Sequence, residues 1–580
     1  MFGIASSQFK KRDFQAMESR FHEMYSCGKV KVESFVSSEF AHGTSLEQRR
    51  KMSHSSSDRT SVWVDGEAYN LAELKDIFPF IDEQSFAFSL VKAIEVGCLE
   101  SLLERVDGYF CAVLYDHELK RVKLISDRYG MRMLYLCHAG SKFVWSTSIS
   151  DLLAVGDVSK ELDVDSLACF KELGYILEDR TLFKSIKLIS PATVITFDIE
   201  SNTTKVSRYW SWSNISKRSI GFEDAVEQLG ELFLSAVKRR YSANEKIGVA
   251  VSGGLDSRAI VAALSRLYPS EICVGYTFGI TGCDDIKFAS QVLDKAQWHH
   301  ETYIFTQDNW LESRLPYIDV TSGLLDMQHM HGCEFLPNIS QRIDVNLNGY
   351  AGDAILGGGF LGKIPWDTRA NLQNVRSFFG RFSYMVDVDN EFYNIDSVEP
   401  VLYMNRVRRF TAMGSVCGLN YLEQRKPFFD NQLVEFVFSL PDAFRANNRI
   451  YSEMLKRFFP DFFLEIPWQK TGKVVGLLHP KPLYMKVYHR IIRLLFGPGF
   501  TRKQGKEFTD YPNWLRSDSS REFFTKLASK DTSVLWREFA DETLGVQLKE
   551  HLADEKVDNS SIILRLATLE IFLSKVLDTK

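Results

Sequence analysis

Val249-Ala250-Val251-Ser252-Gly253-Gly254-Leu255-Asp256-Ser257 passes from an apolar run into a Ser-Gly-Gly turn, and Arg258 to Leu264 continue with helical spacing. A strand, a glycine turn and a helix start in that order aim backbone N–H groups and the positive helix end at one point. That point suits an oxyanion. Gly253 and Gly254 let the main chain approach the anion closely, and Ser252 and Ser257 add hydroxyl donors. Asp256 alone would repel phosphate, so it reads as a ligand for Mg²⁺ bridging to that phosphate. No Gly-Lys-Ser/Thr follows, which excludes the Walker P-loop. A bare glycine turn between strand and helix is commonly a tight connection and nothing more; the complete string after an apolar strand is what carries information.

Around this stretch the chain is ordinary globular material. Its 580 residues, 45% hydrophobic and 25% charged with a net charge of −5, suffice for two or more domains. That balance shows no basic footprint for nucleic acid. No run of 18 apolar residues suggests a membrane span, and the first residues lack a basic-then-apolar leader, so the expectation is a cytoplasmic protein. The nine cysteines are scattered without a Cys-x-x-Cys pair. They read as small buried hydrophobes, not as a zinc, iron–sulfur or disulfide framework.

Downstream, Ile272 to Phe278 is strand-like, Asp284-Asp285-Ile286-Lys287-Phe288-Ala289 opens a helix, and Trp298-His299-His300-Glu301-Thr302 begins another strand. Alternating strands and helices imply a doubly wound parallel sheet with its ligand at the strand C-termini. Val345 to Gly358 contains Asn348-Gly349-Tyr350-Ala351-Gly352-Asp353-Ala354, a second glycine-rich loop with an acid. Ile466-Pro467-Trp468-Gln469-Lys470-Thr471-Gly472 places a lysine in a turn. His299 and His300 point to opposite faces of a strand and read as structural. His329 and His331 would share a strand face, but no third metal ligand is evident, and a pocket-wall role fits them better. The helical stripe from Phe222 to Tyr241 packs on a core. The final third reads as helices at 484–495 and 562–577 around a Gly/basic loop at 497–506, a solvated loop or a lid.

Taken together, these motifs resemble the asparagine synthetase and β-lactam synthetase family over nearly the whole chain. Met1-Phe2-Gly3-Ile4-Ala5 looks like the start of that family's class II glutamine amidotransferase domain, with Phe2 where the cysteine nucleophile belongs. A phenyl ring cannot attack an amide carbon. Asp65 to Asn70 resembles the family's Asn-Gly-Glu-Ile-Tyr-Asn. Asp107 to Asp116 resembles its buried strand, and Asp127 to Tyr135 its Asp-Arg-x-Gly-x-x-x-Leu-Tyr. Asp82 to Phe86 departs from its glutamine-binding Ser/Thr-Asp-Thr-Glu. The polar 43–60 segment reads as a surface loop, and strands at 182–198 and 203–210 close this part before a linker at Tyr209–Trp212.

The resemblance implies an α/β protein in two parts. Residues 1–212 would form a degenerate amidotransferase, an Ntn-hydrolase-like αββα sandwich with a structural, regulatory or docking role. Residues 213–580 would form a doubly wound parallel-sheet ATP-pyrophosphatase (adenine nucleotide α-hydrolase-like) domain with a helical extension. It implies ATP and Mg²⁺ as cofactors. Ser252, Gly253, Gly254, Leu255, Asp256, Ser257 and Gly349 would bind ATP and pyrophosphate, Asp256 and Asp353 would hold the metal, and Lys470 would reach the pyrophosphate. Tyr350 stands where asparagine synthetases carry a glutamate and β-lactam synthetase-like enzymes a tyrosine, and would meet the acceptor amine. A phenol is a weak base near neutral pH, so it needs a nearby cation or a partner acid, for which Asp387, Asp389, Glu391 and Glu399 are the candidates. Glu423 to Asp430 resembles the family's Glu-x-Arg-x-Pro-Phe-x-Asp, an architectural element. The implied reaction adenylates a carboxylate and transfers it to an amine carried by a small molecule or peptide, as in β-lactam synthetases or macrocyclases. An ammonia-dependent asparagine synthetase-type enzyme and a nucleotide-binding pseudoenzyme scaffold are the alternatives. A homodimer or a biosynthetic partner protein is left open, with neither nucleic acid nor membrane as partner.

Overall fold

The structure is a computed structural model that describes residues 1–24, 32–45, 52–361, 372–387, 393, 398–475 and 507–577. Asp389, Glu391, the 484–495 helix, the 497–506 loop and part of the 43–60 segment lie outside the described residues. The chain divides into two compact units: residues 1–217 with 320–324 and 363–423, and residues 218–319 with 325–362 and 424–580.

In the first unit the strands are β1 (Phe2–Ala5), β2 (Val32–Val36), β3 (Phe40–Ser45), β4 (Met52–Ser56), β5 (Thr60–Ala68) and β6 (Gly108–Asp116). They continue with β7 (Arg121–Ser126), β8 (Tyr135–Ala139), β9 (Lys142–Ser146), β10 (Ile186–Leu188), β11 (Thr193–Asp198) and β12 (Thr203–Arg208). Among the described residues they form two six-stranded sheets, ordered β10-β8-β9-β1-β3-β2 and β12-β11-β7-β6-β5-β4. Antiparallel pairing runs through both. Inward side chains of the two sheets share one core: Ala5, Phe40, Phe143 and Trp145 from the first meet Trp63, Val113, Tyr115, Leu124 and Phe197 from the second. Phe40 stacks on Tyr115 with ring centroids 4.3 Å apart. β6 reads as a near-continuous apolar run, and both it and β5 are buried along most of their length. Helix Lys11–Met24 covers the outer face at β1 through Phe14, Met17 and Phe21, and helix Phe86–Glu95 lies on β4 and β5. The result is the αββα layering expected of an Ntn-type fold.

In the second unit β13 (Ile247–Ala250), β14 (Val274–Gly279), β15 (His299–Ile304), β16 (Val345–Leu347) and β17 (Glu423–Arg425) form a sheet ordered β15-β14-β13-β16-β17. The first four are parallel neighbours. From β13 the chain winds outward through β14 to β15, then returns to the other side of β13 with β16. Winding therefore reverses between β13 and β16, the place where sheets of this kind bind their ligands. Helix Phe222–Arg239 buries Val226, Leu229, Phe233, Ala236 and Val237 completely, at the spacing of one helical face. Helix Leu255–Leu267 is apolar nearly all round, with Ala259 to Leu264 all buried, because it lies inside the domain. Among the described residues no helix is long and apolar enough to cross a membrane.

The eight described cysteines form no disulfide with one another, and all but Cys98 are buried. His329 does not lie on a strand: Met327–His329 is a 3₁₀ turn whose N-cap Asp326 accepts the His329 N–H. His329 and His331 therefore share no strand face. His329 Nδ1 lies 2.6 Å from Asp326 Oδ1, while His331 Nδ1 lies 3.2 Å from the Tyr511 hydroxyl.

Candidate active site

The loop after β13 is folded on itself by its own side chains. Ser252 N–H donates to Ser257 Oγ at 3.2 Å, and Gly254 N–H to Ser252 Oγ at 3.2 Å. Leu255 begins the helix and is buried, which anchors the turn to the core. The loop after β16 is fixed by amides: Asn346 Oδ1 accepts Ala250 N–H, Asn348 Oδ1 accepts Tyr350 N–H, and both Asn side chains donate to Gln424 Oε1. This polar lattice sets the two loops in register across the β13/β16 switch.

Glycine makes their approach feasible. A Cβ on Gly349 would lie 2.9 Å from Ser257 N, and one on Gly352 would lie 2.6 Å from Asp256 Cγ, both inside contact distance. With those side chains absent, Asp353 N–H donates to Asp256 Oδ2 at 3.0 Å. Tyr451, from helix Arg449–Phe458, donates its hydroxyl to Asp256 Oδ1 at 3.0 Å. The two acids predicted from separate motifs are thus brought together. Asp256 is held above the usual carboxylate range by burial first and by the charge of Asp353 second. Among the described residues neither makes an ion pair with lysine or arginine. Two hard oxygen donors with uncompensated charge beside a glycine loop fit Mg²⁺, which takes one or two carboxylates and completes its shell with water and substrate phosphates. The described residues hold no cluster of three or more His, Cys, Asp or Glu side chains suited to a metal, so such an ion would depend on phosphate oxygens.

Lys470 sits on a turn closed by the Trp468–Lys473 bridge, with Gly472 in the left-handed region at φ 68°. Its side chain is exposed, and Nζ lies 5.4 Å from the centroid of the Trp468 ring. The turn touches the first loop, because Gln469 N–H donates to Gly253 O at 3.3 Å. Tyr350 is half-buried. It lies close enough to Tyr276 of β14 that, after burial, its charge is the next cause holding the Tyr276 phenol above its ordinary value. Of the acids considered for Tyr350, Glu399 accepts from the Tyr403 hydroxyl at 3.2 Å, and the Asp387 backbone N–H donates to Glu178.

Four residues of this site escaped the sequence reading in any specific role. Tyr451 orients Asp256. Asp285, half-buried and held above the usual carboxylate range by burial, accepts from Gly253 and Gln469. Arg258, whose guanidinium burial pulls down to about 10, donates to the Ile466 and Pro467 carbonyls and so fixes the approach to the Lys470 turn. Asp285, Gln469 and Arg258 lie in stretches already quoted, without a role; Tyr451 carries no such local signal.

In the first unit, Phe2 is fully buried, packed on Phe14 and Phe21 at ring-centroid distances of 5.3 and 4.9 Å. A Cβ on its strand neighbour Gly43 would lie 2.4 Å from the Phe2 ring, so the ring occupies space that glycine vacates. Asp65 is paired with Arg132, and Glu423 accepts from the same guanidinium at 2.7 Å, all three buried. Arg132 also borders a cavity of about 20 Å³ with Met133, Thr147, Val320, Val416, Leu419 and Asn420, room for roughly one water. Glu423 thus has an architectural partner, as do Arg425, paired with Glu245, and Asp430, paired with Arg239 and Arg240.

Comparison with known proteins finds two families along the chain. Residues 3–210 match the family described as glutamine amidotransferase domain, and residues 228–413 match that described as asparagine synthase. "Asparagine synthetase [glutamine-hydrolyzing] 3" of Bacillus subtilis is 24% identical over 71% of this chain and 76% of its own length. "Putative asparagine synthetase [glutamine-hydrolyzing] 2" of Methanocaldococcus jannaschii is 22% identical over 52% of this chain, which spans 59% of that protein. The human "Asparagine synthetase [glutamine-hydrolyzing]" is 24% identical over 74% of this chain and 75% of its own. Among solved structures, the glutamine phosphoribosylpyrophosphate amidotransferase of B. subtilis superposes with a TM-score of 0.27 at 11% identity, over 52% of this chain and 80% of that one.

Proposed function

Since the chain belongs to the asparagine synthetase family, pairing an amidotransferase domain with an asparagine synthase domain, we propose that it uses ATP to join a carboxylate to an amine carried by a substrate. A substrate carboxylate oxygen attacks the α-phosphorus of ATP, the bond to the bridging oxygen breaks, and pyrophosphate leaves. The amine then attacks the acyl carbon, gives up a proton, and AMP departs. Adenylation is needed because a free carboxylate has no competent leaving group.

The observation that carries this reading is the meeting of Asp256 and Asp353 at the winding reversal, beside the Ser-Gly-Gly turn. Mg²⁺ held by that pair would offset the charge of the departing pyrophosphate. Ser252, Ser257 and the start of helix Leu255–Leu267 would face the phosphates, with Lys470 reaching them from its turn. Tyr350, on the Asp353 loop, would receive the amine.

Two observations favour an amine already on the substrate. Tyr350 stands where ammonia-using relatives carry a glutamate, and Phe2 fills the site of a glutaminase nucleophile. Ring closure or ligation of the β-lactam synthetase or macrocyclase kind follows. Ammonia-dependent asparagine synthesis is the second reading, favoured by the names of the relatives. Pyrophosphate release from Mg·ATP separates them. Release with aspartate and ammonium but not glutamine, with asparagine as product, establishes the second reading. Exchange of labelled pyrophosphate into ATP with amine-bearing acids or peptides supports the first; no exchange with any carboxylate overturns both and leaves a nucleotide-binding scaffold.

A further inference from the structure

We infer that Asp285 is a positioning residue that sets the Lys470 turn against the phosphate loop by way of Gln469, an inference that rests on the nucleotide-binding reading above. Asp285 lies in the first turn of helix Asp284–Ala296, just beyond the end of β14. Its two oxygens serve two different segments. Oδ1 accepts the Gly253 N–H at 3.2 Å, and Oδ2 accepts the Gln469 side-chain amide at 2.8 Å. The third side of the triangle is the bond from Gln469 N–H to Gly253 O at 3.3 Å. A Cβ on Gly253 would fall 2.5 Å from the Gln469 Cβ, so glycine is required there for the turn to close on the loop.

A carboxylate next to an anion-binding loop is an unfavourable choice on charge alone. It is justified by geometry: one short side chain supplies two acceptors aimed in two directions, and an asparagine offers only one. Lys470 follows Gln469 directly, and its turn is tightened by bonds from Thr471 and Gly472 N–H to Trp468 O at 3.1 and 2.7 Å. The triangle therefore fixes the lysine backbone with respect to Gly253 while its exposed side chain keeps the freedom to reach an oxyanion.

The test is a set of variants of the full chain, with the dissociation constant of Mg·pyrophosphate read by calorimetry and the melting temperature read in parallel. Asp285→Ala and Gln469→Glu should each weaken binding about tenfold, the scale of one hydrogen bond to a charged group. Asp285→Asn/Gln469→Glu should return to within about twofold of the parent, the inverted pair restoring both bonds at unchanged net charge. With Lys470→Ala as background, Gln469→Ala should cause no further loss, although it weakens the parent. A double variant as weak as the poorer single variant overturns the inference. So does a Gln469→Ala cost that is the same with and without Lys470, or single variants that bind as well as the parent. A parent that fails to bind Mg·pyrophosphate overturns the nucleotide reading itself.

Discussion

The start of β1 and the end of β13 make an instructive pair. At β1, the fully buried Phe2 ring is packed on Phe14 and Phe21, and elsewhere in the same unit Asp65 and Glu423 both pair with the buried Arg132. At β13 the reverse holds. Asp256 and Asp353 are held together without an ion pair to any described cation, and Tyr451 and backbone N–H groups supply only hydrogen bonds. The first region is dominated by apolar packing; the second sets two carboxyl groups close together, a repulsion that a proton or a bound cation would relieve. The same contrast predicts which substitutions damage chemistry and which damage folding.

The largest effect should come from the second region. Asp353→Ala or Asp256→Ala should lower pyrophosphate release by at least about 10³-fold, the loss of several kcal/mol of charge stabilisation. Their melting temperatures should shift little, because relief of an unfavourable charge pairing offsets, in Asp256→Ala, the hydrogen bonds lost from Tyr451 and the Asp353 N–H. Full activity in either variant dissolves the metal assignment. At β1 the pattern inverts: Phe2→Ala should destabilise the protein by about 3–5 kcal/mol, a buried aromatic replaced by a cavity. Phe2→Cys should likewise lose stability without producing glutamine-dependent ammonia. A Phe2→Cys protein that hydrolyses glutamine would show that the region had kept a working pocket.

How much of this was legible in sequence depends on how local each arrangement is. The strand, Ser-Gly-Gly turn and helix of 249–264 lie within one short segment, so their geometry follows from residue order. The 345–358 loop is equally local, and the parallel sheet follows from alternation. The Asp285 triangle is not local: its side-chain bonds join residues 32 and 184 positions apart, and the Tyr451–Asp256 bond spans 195. The fate of 363–423, which clusters with the first unit, is likewise set by distant pairs such as Arg408 donating to Gly130 O and Ile189 O. His329 and His331 leave the strand that their spacing suggests because a capping aspartate, Asp326, turns the chain there.

A smaller effect should separate the two steps of the second region. Tyr350→Phe should leave ATP–pyrophosphate exchange unchanged while slowing amide formation by about 10²-fold, the lower range for loss of an acid or base. If exchange disappears as well, Tyr350 serves the phosphates and not the acceptor.

The smallest effect is a pH dependence that tests the uncompensated charge directly. Asp256 is neutralised more readily in the folded chain than in the unfolded one, whose carboxyl titrates near about pH 4. Above that point the unfolded chain has released its proton while the folded one retains it, so folding binds protons and stability falls as pH rises. The decline ends once Asp256 has ionised in the folded state. In a chelated, metal-free protein, the melting temperature of the parent should therefore drop relative to Asp256→Asn from about pH 4 upward, the gap growing and then levelling. Saturating Mg²⁺ with pyrophosphate should close the gap by replacing the missing counter-charge. A constant difference between parent and variant across this range would mean that Asp256 is already compensated, and the contrast between the two strand ends would collapse.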